Sequence, residues 1–174
     1  MGKLTDLLRL AGKRGHDLGL SYAGALTPAE AWEVWQLAPG ARLIDVRTRA
    51  ELHWIGRIPG AVEIEWENYP EKQANADFLQ QLKQQVDGEA LLMFLCRSGI
   101  RSHRAASLVS GAGFTACYNI LEGFEGDVDA NGQRGKTGGW VGGADNMCPA
   151  GRGGGGVLDF TVHVSTPPGY AIDP

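Results

Sequence analysis

LLMFLCRSGIRSHRAASLVS, residues 91–110, joins an apolar run to a helical pattern through a short loop that begins with a cysteine. The run Leu91–Leu95 ends abruptly at Cys96, and a run of this length bounded by a turn signal reads as a fully buried parallel strand. Ile100 to Ser110 then reads as a helix, closed by Gly111. A cysteine at the carboxyl end of a buried strand, just ahead of a helix, stands where open α/β sheets place their ligands. Loop and helix N-terminal N–H groups point at such a position, and that environment binds anions and favours a thiolate. Arg97 and Arg101 add positive charge, and Ser98 and Ser102 can donate hydrogen bonds to the sulfur or cap the helix. Cys96 is therefore expected to be a thiolate nucleophile in an anion cradle.

Working outward, strands alternate with helices. Thr27-Pro28-Ala29-Glu30 is a capping box with proline at the first helical position, starting a helix that stops before Pro39-Gly40. Ala41 to Val46 reads as a strand, and Thr48 with Glu51 forms a second capping box opening a short helix. Val62 to Glu65 reads as a short strand and Asn75 to Val86 as a helix with Phe78, Leu79, Leu82 and Val86 on its apolar face. Ala90 to Leu95 is the central strand and Thr115 to Ile120 the last. This alternation argues for a parallel sheet with both faces covered.

The motifs resemble those of the rhodanese family of sulfurtransferases. Cysteine phosphatases separate their cysteine and arginine by five residues. Here four lie between Cys96 and Arg101, and Ser102 occupies the phosphatase position. The shorter loop, a tighter cradle suited to a terminal sulfur, matches the six-residue rhodanese loop. Leu43-Ile44-Asp45-Val46-Arg47 resembles the family's Asp-Val-Arg motif, and Gly56-Arg57-Ile58-Pro59-Gly60-Ala61 its Gly-His-Ile-Pro-Gly-Ala turn, with Arg57 in place of His. Tyr118-Asn119-Ile120-Leu121-Glu122-Gly123-Phe124 resembles the last strand and its glycine-rich exit. The resemblance implies an α/β, rhodanese-like, doubly wound parallel five-stranded sheet flanked by helices. It also implies a sulfurtransferase that moves sulfane sulfur from thiosulfate or a persulfide donor to a thiophilic acceptor through a Cys96 persulfide.

In that reading Cys96 is catalytic, and Arg97, Ser98, Gly99, Ile100, Arg101 and Ser102 bind substrate. Arg101 holds the anion at the loop end, while Arg97 faces solvent at the pocket mouth. Asp45 and Arg47 support the site, Asp45 by hydrogen bonding to loop backbone and fixing Arg47 or another cation. The partners are a small-molecule sulfur donor, a thiol or cyanide acceptor, and in cells a protein sulfur acceptor. Two other readings stay open: a sulfur carrier or redox-sensing module without turnover, and, less favoured, a phosphatase or arsenate reductase.

The 174 residues suffice for one core, 43% of them are hydrophobic, and the net charge of −4 does not suggest nucleic acid as a partner. No apolar stretch approaches the ~18 residues of a membrane span, and no cofactor is implied. Three cysteines without framework spacing fit a reducing cytoplasm. Basic Lys3, Arg9, Lys13 and Arg14 suggest a transit peptide, but Asp6 and Asp17 argue against it.

The expected organisation is an N-terminal amphipathic helix or extension over 1–21, its short helix spanning Thr5 to Ala11 with Leu4, Leu7, Leu8 and Ala11 on one face, the rhodanese-like domain over 22–140, and a Gly/Pro-rich tail over 141–174. The helical pattern dissolves from Gly138 onward. After Trp140 the chain departs from the family's ending, through either a shifted reading frame or a genuine extension.

Cys117 reads as core, and Cys148 falls in the tail; either could in principle resolve a persulfide as a disulfide. His53 and His103 read as surface or helix-packing residues, and no histidine stands at metal-ligand spacing. Trp32 and Trp35 read as core or lid. Asp127 to Gly132 imitates a calcium loop but has Gly138 where a bidentate glutamate belongs, and reads as an Asx-rich turn. Gly135-Lys136-Thr137 lacks the upstream glycine and strand of a phosphate loop.

Overall fold

The computed structural model describes residues 2–136 and 138–142. Its five strands are β1 (Gly24–Leu26), β2 (Arg42–Asp45), β3 (Val62–Glu63), β4 (Leu92–Leu95) and β5 (Cys117–Ile120). The helices among the described residues are α1 (Lys3–Asp17), α2 (Pro28–Leu37), α3 (Arg49–Ile55), α4 (Phe78–Gln85), α5 (Ile100–Gly111) and α6 (Gly139–Gly142). All strand pairs are parallel and the order is β1-β5-β4-β2-β3. The expected parallel five-stranded sheet flanked by helices is borne out.

Alternation along the strands divides the core in two. Leu43, Met93, Leu95, Tyr118 and Ile120 face one side, where Ala11 of α1, Ala31 and Val34 of α2, and Trp140 of α6 cover them. Ile44, Leu92, Phe94, Cys96 and Cys117 face the other, against Phe78 and Leu82 of α4 and Ala105, Ala106 and Val109 of α5. Because β4 lies between β2 and β5, the carboxyl ends of these three strands meet at the point where the winding reverses.

Both capping boxes form. Thr27 Oγ1 accepts from the Glu30 N–H at 3.3 Å and the Glu30 carboxylate accepts from the Thr27 N–H at 2.8 Å; Thr48 and Glu51 repeat the exchange at 3.2 and 2.9 Å.

Four elements differ from the sequence expectation. Strand β1, too short for a periodic signal, forms by pairing its backbone with Tyr118, Asn119 and Ile120. Helix α1 runs on to Asp17, because Arg14 reaches across to Glu30 at 2.8 and 3.0 Å and to the Ala25 carbonyl at 2.6 Å, tying the helix to α2 and β1. Helix α4 starts at Phe78 and not at Asn75. The Asn75 side chain instead donates to the Glu65 carbonyl at 2.8 Å and accepts from the Asp77 N–H at 3.1 Å, a local alternative to helix.

The fourth is α6, which forms where the sequence carries no helical pattern. Trp140 in α6 is buried, with its ring edge-on to Trp32 at 6.1 Å and to Trp35 at 6.4 Å between centroids. Burying a large indole outweighs the weak helix propensity of its glycine neighbours. The rest of the tail, with Cys148, His163 and the glycine-rich run 151–156, lies outside the described residues.

Candidate active site

Residues 96–101 form a loop around a single sulfur. Cys96 Sγ accepts from the Gly99 N–H at 3.1 Å and from the Ser102 hydroxyl at 3.3 Å. Gly99 reaches the sulfur from a backbone φ of +98°, in the region that favours glycine. Ser102, one turn into α5, is fully buried. Cys96 is also buried, Ser98 is half-buried, and Arg97 and Ile100 are exposed.

The Gly99 N–H faces the sulfur while carbonyls of the loop are taken elsewhere. The Cys96 carbonyl accepts from the Phe124 N–H at 2.8 Å and the Arg97 carbonyl from the Glu125 N–H at 3.0 Å. The Gly99 carbonyl accepts from Asn119 Nδ2 at 3.2 Å. The exit segment after β5 thus lines the back of the loop, at a distance that admits only glycine at position 123. A Cβ there would stand 2.6 Å from the Arg97 carbonyl carbon.

Arg101, expected to hold the anion, has both Nη atoms on Glu51 of α3, at 2.6 and 2.8 Å. Burial pushes the Glu51 carboxyl up, but hydrogen bonds from Arg101 and Thr48 and the Arg101 charge pull it down to about 2. Burial likewise opposes the Arg101 charge, and Glu51, then Cys96 and Glu67, outweigh it and raise its pKa. Arg101 is therefore a partnered cation within electrostatic reach of the thiol.

Asp45 and Arg47 form a buried pair behind the loop. Asp45 Oδ1 accepts from Arg47 Nε at 3.0 Å and from its backbone N–H at 3.1 Å, and Oδ2 accepts from Nη2 at 2.7 Å. The guanidinium also donates to the Gly56 carbonyl at 3.0 Å and stacks 3.8 Å above the centre of the Phe124 ring. The pair joins the end of β2 to the end of α3 and to the segment that carries Phe124. Its hydrogen bonds do not go to the sulfur.

Cys117 does not approach Cys96. It pairs in register with Leu92, four residues before Cys96, so the two lie about 13 Å apart along the sheet at ~3.3 Å per residue, beyond the roughly 7 Å limit between disulfide-bonded Cα atoms. Burial pushes the Cys117 thiol up to about 12. Among the described residues no cluster of three His, Cys, Asp or Glu side chains is placed to hold a metal. The calcium-loop look-alike is an Asx turn, with Asp129 Oδ1 accepting from the Asn131 and Gln133 N–H groups at 2.8 Å each. A separate cleft of about 680 Å³ lies beside β3, lined by Arg49, His53, Arg57, Glu63, Glu65 and other polar side chains, and it includes no residue of the loop.

Two site residues escaped sequence reasoning. Glu51 was already explained by its capping box, which gave no sign that the same carboxylate reaches Arg101. Asn119 was visible only as part of the last strand, and a polar residue in an otherwise buried strand was the one available signal.

The chain is similar to known proteins. Over 89 residues, 50% of this chain and 72% of the relative, the chain is 40% identical to an uncharacterised protein of Rickettsia conorii. The crystal structure of Rv0390 from M. tuberculosis superposes with a TM-score of 0.63 at 41% identity, covering 70% of this chain and 94% of that one. A 41-residue match, 24% of this chain, is 58% identical to ornithine carbamoyltransferase of Dechloromonas aromatica but covers only 13% of that enzyme. The family model described as Rhodanese-like domain matches residues 29–130, more than half of the chain. With the parallel sheet and the cysteine loop at the end of β4, this match makes the chain a member of the rhodanese-like domain family.

Proposed function

We propose that the protein is a sulfurtransferase that carries sulfane sulfur on Cys96. The observation that supports this most is the pair of donors on Sγ, the Gly99 N–H and the Ser102 hydroxyl, in a loop whose carbonyls are turned outward. Preorganised donors of this kind stabilise negative charge on Sγ, which is the nucleophile of the first half-reaction and the leaving group of the second, without reorganising.

In the first half-reaction the Cys96 thiolate attacks the outer sulfur of thiosulfate. The new Cys–S bond forms as the sulfur–sulfur bond of thiosulfate breaks, and the electron pair leaves with sulfite. The negative charge then rests on the outer sulfur of the persulfide. In the second half-reaction a nucleophile, cyanide in vitro or a thiol in cells, attacks that sulfur and returns the thiolate. Persulfide donors enter by the same exchange. Asp45, held by Arg47, is a support in this scheme and not a base, because the transfer moves no proton that needs one. Arg101 keeps the loop closed on α3 and contributes its field, and exposed Arg97 meets the anionic donor.

Intact-protein mass spectrometry after incubation with thiosulfate tests the reading. The expected result is a gain of one sulfur atom, lost on adding cyanide and absent from Cys96→Ala. A variant that still gains the sulfur, or a wild type that takes none from thiosulfate or from a small persulfide, would overturn it.

A further inference from the structure

Gly99 is the pivot of the loop. Its N–H donates to the Cys96 sulfur, and its carbonyl accepts from Asn119 Nδ2 at 3.2 Å and from the His103 N–H at 3.2 Å. Asn119 lies at the carboxyl end of β5, beside Phe94 of β4, and is buried. The Gly99 carbonyl is thus held by a side chain of β5 and by a backbone N–H of α5.

The Asn119 side chain has one further property. Its Oδ1 is buried and makes no hydrogen bond within the described residues. A buried amide with an unsatisfied acceptor is a destabilising choice for a core position, where leucine of similar size would leave nothing unpaired. Its Nδ2 donor is spent on Gly99, whose N–H touches the sulfur.

We propose that Asn119 is a positioning residue for the Cys96 nucleophile: by holding the Gly99 carbonyl it turns the Gly99 N–H onto the sulfur. The proposal rests on the sulfurtransferase reading for its purpose, but its mechanism concerns the thiol alone. Without the Asn119 donor the Gly99 carbonyl keeps the His103 N–H alone, and the Gly99 N–H is held less firmly on the sulfur.

The test is the rate at which iodoacetamide alkylates Cys96 in the full chain, read by peptide mapping so that other cysteines do not contribute, alongside thermal melting. Asn119→Leu is expected to slow alkylation at neutral pH about tenfold, in line with the loss of one hydrogen bond to a charged group, while melting stays at or above the wild-type temperature. Asn119→Ala removes the same donor without adding a larger apolar side chain and is expected to slow the reaction to a similar extent, which keeps the proposal testable should Asn119→Leu fail to fold. A melting point lowered with the alkylation rate unchanged would show a purely structural residue and overturn the proposal. Alkylation reads the thiol and not sulfur transfer, so the two ideas fail separately. A wild type that takes no sulfur would remove the sulfurtransferase reading and leave this result standing. An unchanged rate in Asn119→Leu would remove the positioning role alone.

Discussion

Glu51 and Arg101, 50 residues apart in the chain, meet through two hydrogen bonds of 2.6 and 2.8 Å, and the same carboxylate caps its own helix by accepting from the Thr48 N–H. One side chain thus starts α3 and anchors the start of α5, the helix that carries the reactive loop. The two side chains are 19% and 15% exposed, so solvent screens the pair only partly.

This pair predicts an acid-sensitive step in stability. The folded-state value of Glu51 lies below its ordinary 4.5, at about 2, so the ionised carboxylate favours the folded state. That contribution is complete above pH 4.5 and is lost as pH falls towards 2, with roughly 2 kcal/mol gone by pH 3. Urea denaturation of the wild type and of Glu51→Gln at pH 7 and pH 3 checks it. The variant should be less stable at pH 7, and its further loss on acidification should be smaller by about 2 kcal/mol. Equal losses in both proteins would refute the assignment.

Among the described residues, Ser102 is the one side chain that donates to the sulfur. Ser102→Ala keeps the buried volume nearly unchanged and removes only the hydroxyl, so stability should shift by less than about 1 kcal/mol. Sulfur uptake from thiosulfate, followed by stopped reaction and mass spectrometry, should slow at least about tenfold, as for loss of one donor from a charge-stabilising site. Uptake at the wild-type rate would place the charge stabilisation in the backbone alone.

Gly123 presses on the loop from behind. Alanine at this position, where φ is +62°, would drive its Cβ into the Cys96–Arg97 peptide. Gly123→Ala should lower stability by about 2–3 kcal/mol and abolish sulfur uptake together with it. Melting temperature and uptake measured on the same sample decide the point, and a stable, active variant would show that the exit segment can move away without cost to the site.

Trp140 belongs to the core. Trp140→Ala should destabilise the fold by about 3–5 kcal/mol, because the buried indole packs edge-on against both Trp32 and Trp35. Chemical denaturation followed by far-ultraviolet circular dichroism gives the number. A change below 1 kcal/mol would mean that α6 contributes little to the packed domain.

What the sequence determined by itself is local. The apolar run before Cys96, the loop length up to Arg101, and the boxes at Thr27–Glu30 and Thr48–Glu51 each lie within a few residues, so propensity, spacing and capping specify them without reference to the rest of the chain. Strand β2 and helix α5 were legible for the same reason, and with them the position of Cys96 at a strand end.

The tertiary structure alone decided which distant groups close on the loop. Glu51 on Arg101, Phe124 and Glu125 on the loop carbonyls, and Asn119 on Gly99 join segments 20 to 50 residues apart, or meet only after β5 has paired with β4. Strand β1 and the Trp140 turn are of the same kind, too short or too glycine-rich to form before a partner surface exists. Hydrogen bonds and burial between remote segments leave no periodic trace in a sequence, because they depend on strand order and register, which the whole sheet sets at once.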